Sequence, residues 1–282
     1  MANVSDAVSE KMAKVTEALE AKLDADVLGI FGAILGGVEY RVRAALEQLP
    51  TKRKKLAIVL QTGGGSIEVT ERIVNVVRHH YPEVIFIIPD IALSAGTVLA
   101  MSGDAIMMDY FSCLGPIDPQ VEREGKLVPA LSYLEQFERL VKKSAAGALT
   151  TAELALLNKL DLAELHSFEQ AKALTAELLV AWLAKYKFKN WTVTATRKIP
   201  VTPQKREERA RQIADALSDH QRWRSHGRGI PIRTLQDDLN LMIDDFASQP
   251  DVAQPIREYW DFVVSVMLKE GFSSFVTSRK YV

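Results

Sequence analysis

The sequence predicts an α/β protein with a mostly parallel sheet and a helical C-terminal half. Three observations predict it. Between Asp26 and Asp109, short apolar runs alternate with stretches of helical period. Those runs are apolar throughout rather than at every second residue, which marks parallel strands covered on both faces. From Pro129 onward, helical patterns dominate. With 282 residues, 48% of them hydrophobic, the chain can bury a sizeable core as one large domain or two small ones.

The elements follow in order. Val4, Val8, Met12, Val15, Leu19 and Leu23 recur by threes and fours, one apolar stripe on a helix. Residues 1–25 are therefore expected to form an N-terminal amphipathic helix, and 26–282 the main domain. The stripe packs either on that domain or against a second subunit. "DVLGIFGAI" (Asp26 to Ile34) reads as a buried strand, and Val38 to Leu49 as a helix ended by Pro50. "TKRKK" is a solvated turn. "LAIVLQ" is the next strand, Ser66 to His80 the next helix, and "EVIFIIP" and "AIMMD" the third and fourth strands. The helical region from Pro129 to about Leu217 is interrupted at "YKFKNWTVTATRKIPVTP", where Pro200 and Pro203 break any helix. A helix restarts at "TPQKREERARQIADAL", with Thr202 as N-cap and Pro203 at its first position. "SHGRGIPI" is a turn leading into a short extended piece.

Composition narrows the function. Charged residues make up 25% of the chain and the net charge is −1, which gives no global electrostatic case for nucleic acid or an anionic membrane. The single cysteine, Cys113, excludes an internal disulfide framework and suits a reducing cytosol. The opening "MANVSDAVSEKMAK" lacks the apolar core of a secretory signal. No window holds about 18 uninterrupted apolar residues, the length of a membrane span. A cytoplasmic, soluble protein is expected. His79, His80, His166, His220 and His226 have no metal-ligand spacing, so neither metal nor cofactor is expected. The run Lys205 to Arg211 is mixed with Glu207 and Glu208 and reads as a solvated helix face.

Two stretches carry chemistry. In "LQTGGGSIEV", three glycines join a strand to a helix. A P-loop requires Lys-Ser or Lys-Thr after its last glycine, but Ser-Ile follows Gly65; a dinucleotide fingerprint requires a third glycine where Glu68 stands. The turn is then either an oxyanion hole, with bare backbone N–H groups at a helix N-terminus, or a plain tight turn with Ser66 as N-cap. In "IIPDIALSAGTVLAMSGDAIMMD", Ser94 stands where sheet edge turns to helix, beside Ala92, Ala95 and Gly96. It is either a nucleophile, with the next N–H as oxyanion donor, or a second N-cap.

"LQTGGGSI" followed by "ALSAGTVLAMSGD" resembles the Clp-protease/crotonase superfamily, and within it the serine dehydrogenase proteinase family, relatives of signal peptide peptidase A. "CLGPIDPQ", "LTTAELALLNKLDL" and "SHGRGIPI" add to the resemblance, which spans roughly Asp26 to Met242. It implies a ClpP/crotonase-like β-β-α superhelix, a homo-oligomer, and a serine endopeptidase acting on peptide or protein substrates. It puts the nucleophile at Ser94 and the oxyanion donors at Gly64 and Ala95. Clp protease carries a histidine after its serine; here "GPIDPQ" offers only Asp118. A lysine base, as in signal peptide peptidase A, falls first on Lys159, among apolar residues, and second on Lys143, in "KKSAAG". A Ser–Asp–His set, also described for the family, falls on Asp118 and His226. A catalytically inactive oligomeric scaffold keeping the fold is the alternative.

Overall fold

The computed structural model describes residues 6–118, 120–123, 126–194, 196–225 and 227–282. Helix α1 (Asp6–Leu23) leads into β1 (Asp26–Gly32), α2 (Val38–Glu47), β2 (Lys55–Gln61), α3 (Ile67–His80) and β3 (Glu83–Ile87). Short β4 (Ile91–Ala92) and α4 (Ala95–Met101) precede β5 (Ala105–Met108), β6 (Cys113–Leu114) and a hairpin of β7 (Gln120–Arg123) and β8 (Lys126–Pro129). The second half comprises α5 (Ala130–Ala145), α6 (Thr151–Leu157), α7 (Leu162–Trp182), α8 (Pro203–Ser218), α9 (His220–Trp223), β9 (Ile230–Pro231), α10 (Ile232–Asp237), β10 (Asp244–Asp245), α11 (Pro250–Glu270) and β11 (Ser274–Ser278). Thr202 caps α8, accepting from the Lys205 N–H with Pro203 in the first turn, as the sequence predicts.

The main sheet has the order β10-β5-β3-β2-β1-β11. Every pairing in it is parallel except β11 against β1. Val27, Leu28, Ile30 and Phe31 of β1 are all buried, so both faces of the strand are covered, as its unbroken apolar run requires. On one face, Val42 of α2, Ile73 of α3, Val98 of α4, Leu179 of α7 and Ile213 of α8 share one core. On the other, Met12 and Leu19 of α1 pack with Ile256, Tyr259 and Val263 of α11 over Val27, Ala57 and Val59. The α1 stripe thus faces its own domain, with Val8, Val15 and Leu23 at the margin of that core; Val4 lies outside the described residues. A second, smaller sheet of order β4-β6-β9 stands over the carboxyl ends of the main strands.

An ionic cluster joins the two ends of the fold. The Arg279 guanidinium meets Glu20 Oε1 at 2.7 Å and Oε2 at 2.8 Å, and Asp26 Oδ1 at 2.7 Å. Asp26 Oδ2 accepts from the Tyr81 hydroxyl at 2.8 Å and the Arg53 N–H at 2.7 Å. Burial pushes the Glu20 carboxyl above the usual carboxylate range, against the hydrogen bond from Arg279.

Candidate active site

The two stretches that the sequence singles out meet in space. Strand β2 ends at Gln61, and the next residue is stitched to the small sheet: the Thr62 N–H donates to the Ile91 carbonyl at 2.9 Å, and the Leu93 N–H to the Thr62 carbonyl at 3.0 Å. This brings the glycine turn against Ser94. A Cβ added to Gly64, whose φ is +111°, would lie 2.8 Å from Ser94 Cβ, so only a glycine lets the backbone come this close.

The two serines behave differently. Ser66 is an N-cap: its side chain accepts from the Val69 N–H at 3.1 Å. Ser94 also precedes a helix, but its side chain makes no capping bond. Instead its Oγ donates to the Asp118 carbonyl at 3.0 Å, away from the helix. Its backbone sits at φ 54°, ψ −121°, a region that costs a non-glycine residue roughly 1–3 kcal/mol. A cap needs no such strain; a hydroxyl held off the helix end does. The N-cap reading therefore holds for Ser66 and fails for Ser94. In this conformation Ser94 is only 2% exposed.

The Gly64 N–H, expected as an oxyanion donor, is already committed to Thr62 Oγ1 at 3.0 Å. The N–H groups of Gly65 and Ala95 have no acceptor among the described residues, and both residues line a small cavity at Ser94 with Ile67, Ile117, Asp118 and Thr175. Ala95 opens α4, so its N–H is one of the unpaired donors of a helix start. Gly65 has φ +152°, and an added Cβ would fall 2.1 Å from the Ile34 carbonyl oxygen. Gly65→Ala is expected to lower stability by several kcal/mol, because backbone rather than a movable side chain blocks the methyl group. Gly63→Ala meets nothing within 4 Å and should melt within a few degrees of the parent, as thermal unfolding will show.

The structure does not bring the expected lysines to Ser94. Lys159 lies in an exposed turn after α6, a helix with no buried residue. Its leucine neighbours in sequence are themselves partly or fully exposed, so they do not desolvate it. Lys143 is bound to Glu153 Oε1 at 2.6 Å, and this bond holds the Glu153 carboxyl down to about 2. Neither lysine lines the Ser94 cavity. Asp118 does: it is buried, its backbone carbonyl accepts the hydrogen bond from Ser94 Oγ, and its Oδ1 accepts from the Leu131 N–H at 3.1 Å, fixing the start of α5. His226 lies outside the described residues. The strand that follows it, β9, pairs antiparallel with β6, Ile230 opposite Leu114, four residues before Asp118. Sequence reasoning missed Gly65, Thr62 and Thr175. Thr62, directly before the glycines, is the one a turn-based reading had a signal for.

The profile of a family described as "ClpP-like SDH-type serine proteinase" matches residues 34–196. Two uncharacterised proteins of Methanocaldococcus jannaschii are similar to this chain. MJ1495 is 29% identical over 114 residues, 40% of this chain and 36% of its own length. MJ0137 is 36% identical over 88 residues, 31% of this chain and 29% of its own length. The chain thus spans about a third of the length of the curated relatives it matches. Solved structures similar to it include two forms of a 1510-N membrane-bound stomatin-specific protease. One is a serine-to-alanine mutant, with TM-score 0.35 and 16% identity, covering 64% of this chain and 72% of that one. The other is a lysine-to-alanine mutant in complex with a substrate peptide, with TM-score 0.32 and 24% identity, covering 39% and 54%.

Proposed function

The chain belongs to the ClpP-like SDH-type serine proteinase family, and from that premise we propose that it hydrolyses peptide or protein substrates with Ser94 as its nucleophile. The observation that carries this reading is Ser94 itself: strained, not capping its helix, and in contact with the glycine turn. In the reaction, Ser94 Oγ attacks the peptide carbonyl carbon and loses its proton to a base. The carbonyl oxygen becomes an oxyanion facing the Ala95 and Gly65 N–H groups. The amine leaves with the proton, and water hydrolyses the acyl-enzyme. For the base we favour His226, with Asp118 as its carboxylate partner. The pairing of β9 with β6 supports this, and so does the engagement of Lys143 and exposure of Lys159. A Ser–Lys pair with Lys159 or Lys143, neither of which lines the Ser94 cavity, is the second choice. A homo-oligomer remains part of the proposal; exposed Leu154, Leu156 and Leu162 on α6 and at the start of α7 offer it a surface. No described helix is long and apolar enough to cross a membrane, and a cytoplasmic setting is proposed on the single Cys113.

One observation favours the inactive-scaffold reading. The Ser94 hydroxyl is buried and donated to a carbonyl, which cannot accept the proton outright. A fluorophosphonate probe separates the two. Covalent labelling of the folded protein, mapped by mass spectrometry to the Ser94 peptide, is expected. His226→Ala should slow labelling by about 10²- to 10⁴-fold, the usual contribution of a general base. A folded protein that takes no probe at any pH would leave the scaffold.

A further inference from the structure

Thr62, 2% exposed, stands between the glycine turn and the start of α4, and its side chain touches both. We propose that Thr62 is a positioning residue: its hydroxyl and its methyl group together set the spacing of the Gly65 and Ala95 N–H groups. This rests on the reading of Ser94 as nucleophile.

On the side of the glycine turn, Thr62 Oγ1 accepts from the Gly64 N–H at 3.0 Å and donates to the Gly64 carbonyl at 3.3 Å. The same carbonyl accepts from the Ile34 N–H at 2.9 Å, and the Ser66 N–H donates to the Ile34 carbonyl at 2.9 Å. The residues before and after Gly65 are thus bonded, and the Gly65 N–H is the one left over at the Ser94 cavity. On the side of α4, the methyl group packs on Gly96: a Cβ added to Gly96 would fall 2.3 Å from Thr62 Cγ2. The other neighbours of that Cβ, Ala92 Cβ at 3.5 Å and Thr62 Cβ at 3.7 Å, stand at ordinary contact distance. The methyl group therefore limits how closely the first turn of α4 approaches the glycine turn.

Each contact lies next to a donor, Gly64 before Gly65 and Gly96 after Ala95. The backbone of Thr62 is itself held by Ile91 and Leu93, so the side chain works from a fixed base. A β-branched residue has a stiff χ1. A hydroxyl held on Gly64 consequently fixes the direction of the methyl group that meets Gly96. Serine supplies the hydroxyl alone, and valine the shape without the acceptor. A hydroxyl that only closed a local turn would leave the methyl group without a task; here it is the part that reaches the nucleophile's helix. Donors stabilise an oxyanion when they stand about 2.7–3.1 Å from the place it will occupy, so their spacing has to be set before substrate arrives.

The test is steady-state peptide hydrolysis by Thr62→Val, Thr62→Ser, Gly96→Ala and the double variant Thr62→Ser/Gly96→Ala, with thermal melting of each. Thr62→Val should lower kcat by about 10- to 100-fold, up to the effect of one misplaced donor, and leave KM within about threefold. Thr62→Ser, which keeps the bond to Gly64, should retain at least about fivefold more kcat than Thr62→Val. Gly96→Ala alone should lower kcat at least about tenfold, because its methyl group and that of Thr62 claim the same space. The Thr62→Ser background vacates that space, and there the same change should lower kcat less than about threefold. A Gly96→Ala loss of equal size in both backgrounds would overturn the proposal, as would a Thr62→Val enzyme within about twofold of wild-type kcat. Losses that vanish once rates are corrected for the folded fraction would also overturn it, leaving Thr62 a purely structural residue. A second measurement does not depend on catalysis. Hydrogen exchange in Thr62→Ala, read by mass spectrometry, should quicken at least about tenfold over both 63–66 and 95–98, with β1 unchanged. Quickening confined to 63–66 would show that Thr62 does not hold α4 and would overturn the coupling. If the wild type takes no fluorophosphonate probe, the Ser94 reading falls, and the exchange measurement alone decides whether Thr62 couples the two segments.

Discussion

Ser94→Ala is expected to abolish fluorophosphonate labelling and to lower peptide hydrolysis by at least about 10³-fold, since the remaining backbone donors and substrate binding keep only a small residue of catalysis. The structure adds a second expectation, in stability. Alanine inherits the backbone at φ 54°, ψ −121°, whereas glycine occupies that region freely. Both replacements lose the bond from Ser94 Oγ to the Asp118 carbonyl, so that loss cancels between them. Ser94→Gly should therefore be more stable than Ser94→Ala by about 1 kcal/mol, after the extra freedom of glycine in the unfolded chain is deducted. Urea unfolding of the pair measures it. Equal labelling of wild type and Ser94→Ala would remove Ser94 from the mechanism, and a glycine variant less stable than the alanine one would remove the strain.

The second large effect concerns Arg279. Arg279→Met leaves Glu20 and Asp26, 3% and 0% exposed, without the cation between them. Breaking such a buried arrangement from one side costs about 3–5 kcal/mol, because the remaining charges stay buried. The pH dependence follows from Glu20. Its carboxyl is already raised by burial, and removing the Arg279 hydrogen bond, which lowers it, raises it further. A carboxyl raised in the folded state costs nothing below its unfolded value of about 4.3, and its full penalty applies above the raised one. The deficit of Arg279→Met relative to wild type should thus be smaller at pH 5 than at pH 7. Adding Glu20→Gln should recover part of the loss at pH 7. A deficit under about 1 kcal/mol at pH 7 would show that the cluster is dispensable.

Much of this molecule is legible in its residues, for identifiable reasons. β1, β2, β3 and β5 announce themselves because a strand buried on both faces must be apolar throughout, and each ends within two residues of its expected limit. The two-residue strands β4 and β6 are too short to show any period, and β9 is legible only as the short extended piece after the "SHGRG" turn, yet they hold Leu93 and the Asp118 segment around the serine. β11, "SFVTS", has hydroxyl side chains at three of its five residues and so lacks an apolar run. At the site, the sequence brings the glycine turn and Ser94 together but does not say which glycine N–H is spent; that depends on the Thr62 hydroxyl reaching back to Gly64. Lys159 misleads because apolar neighbours along a chain desolvate a lysine only when those neighbours are themselves buried, and on α6 none is.

The antiparallel pairing of β11 with β1 has a consequence for synthesis. A ribosome delivers β1 and β2 early, and β2 can zip onto one edge of β1 at once. The other edge, from Leu28 to Gly32, waits for Ser274 to Ser278. Through most of translation the nascent sheet therefore carries an unpaired strand with greasy side chains above and below it, the kind of edge that recruits chaperones or a neighbouring nascent chain. Two chains growing on one messenger present the same open edge of β1 to each other, so polysome crowding and early termination before Ser274 are the circumstances in which this protein is most exposed to misassembly.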